Sequence, residues 1–198
     1  MNSLRFPLLF GLLLLAVAIP ASAQSNFSFW LGETAISPGG GTAEWGTSVG
    51  ANGKFNISDI LLIRGQFNVD RAQLRNQVYP GFNGGQTVTF ISLGAGPEVA
   101  LGTRDYDIFF HLTPHGTIRS VSRIVTEGGT DRVWSLTRFS MGVLAGVGFE
   151  VFLTDNIGFE VQGQYDVFNF DGSDTDPKYA GARGLAGVQF YLGRNFLR

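Results

Sequence analysis

The sequence predicts an all-β fold, an eight-stranded antiparallel up-and-down transmembrane β-barrel whose outer wall faces lipid. Three observations lead there. Apolar and polar residues alternate with period two in run after run, the pattern of a strand whose two faces meet different surroundings. Charged residues make up 15% of the chain, aromatics 13% with 18 Phe, and Gly numbers 28, whereas soluble domains carry roughly 25% charge. Beyond the N-terminal region, no stretch approaches the ~20 apolar residues of a spanning helix. A chain that crosses a membrane without such helices does so as a closed barrel, the other structure that satisfies every backbone group in lipid.

The N-terminal region reads as a leader. Arg5 supplies a positive charge, residues 6–20 are almost uniformly apolar, and Ala21-Ser22-Ala23 forms a small-residue cleavage signature. The expected division is a signal peptide over residues 1–23 and one outer-membrane barrel over 24–198.

The strands follow in order. Residues 27–35 and 87–101 fill two of the eight slots with the least decisive patterns. In 43–57 the odd positions include Trp45, Val49 and Phe55, and the even ones Glu44, Ser48, Asn52 and Lys54. Leu61, Ile63, Phe67 and Val69 alternate with Arg64, Gln66, Asn68 and Asp70. Ile108, Phe110 and Leu112 stand against Phe109, His111, Thr113 and His115. Phe139, Met141, Val143, Val147 and Phe149 oppose Arg138, Ser140, Gly142, Gly146 and Glu150. Phe159, Val161, Tyr165 and Val167 oppose Glu160, Gln162, Gln164 and Asp166; Ala186, Val188, Phe190 and Leu192 oppose Arg183, Gly187 and Gln189. Tight turns are expected at 56–59, 102–105 and 154–156. Longer links are expected at 71–86, 119–135 and 170–181, with a short Gly-rich one at 37–41. Short turns on one rim and long loops on the other are the signature of a single-chain outer-membrane barrel.

A soluble barrel or sandwich would carry its apolar face inward. Here the polar face is small and sparsely charged, which suits a narrow lumen, while bulky Phe recurs on the other, as in a lipid band. A net charge of −2 implies no nucleic-acid partner, and the absence of Cys removes disulfides, thiolate metal sites and a cysteine nucleophile.

The pattern over residues 26–193 resembles the OmpA/OmpX-type family of eight-stranded outer-membrane barrels, most visibly in the closing strand Gly184-Leu185-Ala186-Gly187-Val188-Gln189-Phe190-Tyr191-Leu192. The resemblance implies outer-membrane lipid and the barrel-assembly machinery as partners. This chain departs from the family in continuing past its last strand to Phe196 and Arg198. The specific role is expected in the external loops, as contact with an extracellular ligand that the sequence does not name. The chain is expected to be a monomer, to need no cofactor, and to have no catalytic or metal site.

An eight-stranded barrel is filled by its own side chains. Buried charges must then pair, so Arg64, Arg138, Arg183 and Lys54 are expected to meet Glu98, Glu150, Glu160 and Glu44 in a salt-bridged interior. On that reading Arg138→Ala destabilises the barrel. An ion path is the competing use of the same lumen.

His111 and His115 lie four residues apart on one strand face, about 13 Å at ~3.3 Å per residue, too far for one metal ion. Lipid A deacylases, which resemble this chain in topology, use a His-x-Ser pair with an acid; here His111-Leu112-Thr113 and His115-Gly116-Thr117 place Thr at the Ser position, with both His pointing inward. Asp171, Asp174 and Asp176 form an acidic loop without EF-hand spacing. Tyr106 and Trp134, near strand ends, are the expected interfacial aromatics.

Overall fold

The computed structural model describes residues 25–39, 41–74, 86–103, 105–127, 130–170 and 178–192, with backbone alone for 124–127 and 130–131. The expected leader, the acidic loop at 171–177 and Phe196 lie outside the described residues. Eight strands follow one another: β1 (Ser25–Pro38), β2 (Glu44–Asn56), β3 (Leu61–Leu74), β4 (Gln86–Gly102), β5 (Tyr106–Glu127), β6 (Thr130–Phe152), β7 (Ile157–Val167) and β8 (Tyr179–Leu192). Each pairs antiparallel with the next, and β8 pairs with β1 to close the barrel.

Hydroxyl side chains build two of the tight turns on one rim. Thr103 Oγ1 accepts from Asp105 N at 3.2 Å, and Thr154 Oγ1 accepts from Asn156 N and Ile157 N at 3.2 and 3.1 Å. These bonds imitate a backbone turn and close the chain within a few residues. On the opposite rim, Gly39 adopts φ 57°, which an L side chain disfavours.

The register sets the slope of the strands. Starting at Glu33 and crossing partners one way gives Thr47 and then Arg71 on β3. Crossing the other way gives Gly184, Gly163, Val147, Phe110, Val99 and Leu61, also on β3. The two arrivals differ by 71 − 61 = 10 residues. A stagger of that size over eight strands tilts them about 40° from the barrel axis.

Alternation decides inside from outside. Outward side chains include Leu31 (70% exposed), Phe29 (59%) and Phe139 (68%), an apolar belt that soluble proteins bury. Lys54, Arg64, Asp70, Glu98, Glu160 and Arg183 point inward and are buried. The tight lumen requires glycine where rings cross it: a Cβ at Gly146 would strike the His111 ring, and one at Gly148 the Phe109 ring.

One predicted link is not a loop. Residues 119–135 largely continue β5 and β6, which pair from Tyr106↔Val151 to Glu127↔Thr130. β4 accompanies β5 only as far as Thr87↔Ser122, and β7 accompanies β6 only from Val143↔Val167 downward. The two longest strands therefore run past their neighbours as a projecting hairpin. The expected links at 71–86 and 170–181 likewise lose 71–74 to β3 and 179–181 to β8.

Candidate functional site

The interior divides into levels along the barrel axis. Nearest the short-turn rim, Lys54 Nζ lies 3.0 Å from Glu98, 3.2 Å from Glu160 and 3.8 Å from Glu150. Arg64 donates to Glu98 at 2.7 Å, to Gln66 at 2.9 Å and to Gln162 at 3.0 Å. The Gln189 amide nitrogen donates to Glu160 at 2.8 Å and Glu150 at 3.2 Å. The Lys54 ammonium also sits over the Phe109 ring, 4.3 Å from its centroid.

A layer of amides separates this cluster from a second one. Gln66 donates to Gln164 at 3.3 Å, and Gln164 to Gln162 at 2.9 Å. Above them Arg183 holds Asp70 in a two-point fork, Nε to Oδ1 at 2.7 Å and Nη2 to Oδ2 at 2.5 Å, and reaches Asp166 at 2.7 Å. Such planar bidentate pairing suits a guanidinium better than an ammonium.

The predicted charges thus separate. Lys54, Arg64, Glu98, Glu150 and Glu160 come together, while Arg183 joins Asp70 and Asp166 from the polar face instead of a Glu. Glu44 lies half-buried at the long-loop end of β2. Arg138 corrects the expectation. It has inward parity but is exposed, because β6 passes Val143 there without β7 beside it and no wall covers the side chain. Trp134, expected in the interfacial girdle, also lies on this wall-less stretch with inward parity. Tyr106 does face outward at the short-turn rim, against Phe149 at 5.6 Å.

Both His side chains are buried inside. His115 Nε2 is 2.8 Å from Asp166 Oδ1, and its Nδ1 is 2.8 Å from Thr117 Oγ1, which lies 2.9 Å from Ser92 Oγ. With a proton on Nε2 facing the carboxylate, Nδ1 is the ring atom that meets the Thr117 hydroxyl. Acid, imidazole and hydroxyl in series can activate a nucleophile. Here, however, Thr117 is wholly buried and faces the lumen, away from lipid. Among the described residues, no group of three or more His, Asp or Glu side chains could hold a metal ion.

Above the second cluster the lumen turns apolar, which the alternation did not foretell. Ile36, Ala72, Leu74, Val88, Phe90, Val121, Phe168 and Tyr179 form one buried cluster at the long-loop end. Phe90 stacks on Phe168 at 4.1 Å between centroids and meets Tyr179 edge-on at 5.2 Å. The Arg119 guanidinium lies 4.8 Å from the Tyr179 centroid, where the hairpin begins.

A charged, side-chain-filled interior inside an apolar outer wall defines a transmembrane β-barrel of the bacterial outer-membrane type. No protein-family model matches the chain, and no curated protein sequence matches it. Solved structures do. Neisserial surface protein A aligns at 18% identity and TM-score 0.56 over 84% of this chain and 96% of its own. Ail, the attachment invasion locus protein of Yersinia pestis, aligns at 13% identity and TM-score 0.54 over 86% and 99%. A major outer membrane protein from Thermus thermophilus aligns at 10% identity and TM-score 0.56 over 85% and 99%. At these identities the likeness establishes the shared fold.

Proposed function

We propose that this protein is a non-enzymatic surface barrel of the bacterial outer membrane that engages an acidic external partner through the β5–β6 hairpin. The observation that carries the reading is the mouth-facing side of that hairpin. Arg119 pairs across to Arg138, Val121 to Leu136 and Arg123 to Trp134, with Arg132 further out. Arg132 and Arg138 are exposed and Arg123 half-buried, whereas Arg119 is buried against Tyr179. Guanidinium groups interleaved with aromatic and aliphatic side chains suit sulfate or carboxylate groups on a flexible polymer. Ail, which shares the fold, has been solved in complex with the heparin analogue sucrose octasulfate, at 14% identity and TM-score 0.53. That precedent supports the class of partner.

Two other readings have less behind them. An acyl-transfer enzyme needs its nucleophile where lipid reaches it, and Thr117 faces the lumen. A channel needs an open axis, and the Phe90–Phe168–Tyr179 plug and two ionic clusters occupy it.

Heparin coupled to a sensor surface tests the proposal with the refolded barrel in detergent. Salt-dependent retention is expected, falling about tenfold or more in the Arg132→Ala/Arg138→Ala double variant. Equal retention of that folded variant, or none by the native barrel, would overturn the reading.

A further inference from the structure

Among the outward-facing strand positions whose side chains are described, only Glu33 and Arg71 are charged. Both are exposed, and neither makes an ion pair or side-chain hydrogen bond among the described residues. They lie on one wall, joined by the register row Glu33–Thr47–Arg71 across β1, β2 and β3. Two strand spacings separate them by about 9.6 Å. With strands tilted about 40°, Arg71 stands about 6 Å further from the short-turn rim than Glu33. Glu33 itself is eight residues along β1 from Ser25, about 20 Å up the axis. That height falls inside an apolar band about 25 Å tall, with Arg71 near its outer margin. A lone carboxylate in hydrocarbon is unfavourable and seeks a partner.

We propose that two copies of this chain associate through the β1–β3 wall about a two-fold axis along the membrane normal at Thr47. Rotation about that axis brings Glu33 of each copy to the side where the other presents Arg71. One patch thereby supplies both members of two reciprocal ion pairs, the self-complementarity that a closed dimer requires. The guanidinium bends toward the deeper carboxylate, as long cationic side chains do at a membrane interface.

Thr47 is small, so the two barrels can approach closely at the axis, and the strand tilt of about 40° carries Val49, Ala51 and Gly53 progressively away from it. This proposal departs from the expectation of a monomer, because the juxtaposition of Glu33 and Arg71 appears only once the strands are in register.

Charge reversal in lipid vesicles tests this. Subunit counting of labelled full-length barrels is expected to show dimers for the native chain. Glu33→Arg and Arg71→Glu should each lower the dimer fraction about tenfold, and the double reversal should restore it. A monomeric native barrel at every protein-to-lipid ratio would overturn the proposal, as would single reversals that leave dimers intact or a double reversal that fails to rescue. The chain has no Cys, so a Thr47→Cys substitution with native charges provides a second measurement. A short thiol cross-linker should join Thr47→Cys copies and not Val147→Cys copies on the far wall. Equal or absent cross-linking at the two positions would likewise overturn the dimer.

Discussion

Arg183 and Arg138 carry the same side chain on the same nominal face, yet they answer to different physics. Arg183 is wholly enclosed between Asp70 and Asp166. Removing it leaves two carboxylates facing each other without their cation, and breaking a buried network this way costs about 3–5 kcal/mol. Arg183→Ala should therefore lower the urea midpoint of the vesicle-embedded barrel well beyond the scatter between preparations, followed by heat-modifiable gel migration. Arg138→Ala should shift that midpoint far less, since the side chain is exposed. Alternation placed Asp70 and Asp166 on the polar face but not opposite Arg183. Asp166, 17 positions away, comes beside it through the pairing of β7 with β8, whereas Asp70, 113 positions away, meets it only because the barrel closes.

Among the strands, β5 and β6 show where alternation loses its meaning. Their outward positions include Ile108, Phe110, Leu112, Phe139, Met141 and Val147 along the lipid belt, then Ser120, Ser122, Ser135 and Thr137 beyond it. Outside the bilayer both faces of a strand are wet, so the apolar signal that marks a strand in lipid vanishes and the stretch reads as a loop. Within the belt, the same pair depends on close approach. His111 lies opposite Gly146, and any Cβ there meets the imidazole ring. Gly146→Val is expected to reduce the refolded fraction sharply on a heat-modifiability gel. Gly163→Val, at an outward site with open space around it, should refold as the native chain does.

As a whole the molecule is a filled cylinder with a dry stopper at its outer end. Among the described residues, two ionic clusters and a stack of Phe90, Phe168 and Tyr179 lie in series along the axis. Native barrels in a planar bilayer should accordingly produce no steady conductance; well-resolved, reproducible channel steps would contradict the closed lumen. The stopper was hidden in the sequence because β4 places apolar residues on both faces there. Val88 and Phe90 point in while Ile91 and Leu93 point out, and a strand apolar on two sides has no period-two contrast to read.

The sequence alone established the eight strands, the rim with tight turns and the sign of each wall, because these follow from neighbours in the chain and from a side-chain period of two. It identified Lys54, Arg64, Glu98, Glu150, Glu160 and Arg183 as inward charges for the same reason. Which of them share a level, how far β5 and β6 outrun their neighbours, and that Glu33 stands across Thr47 from Arg71 depend on the stagger at which the sheet closes. That stagger joins residues far apart in sequence and is set by the packing of the whole interior, so no local pattern encodes it.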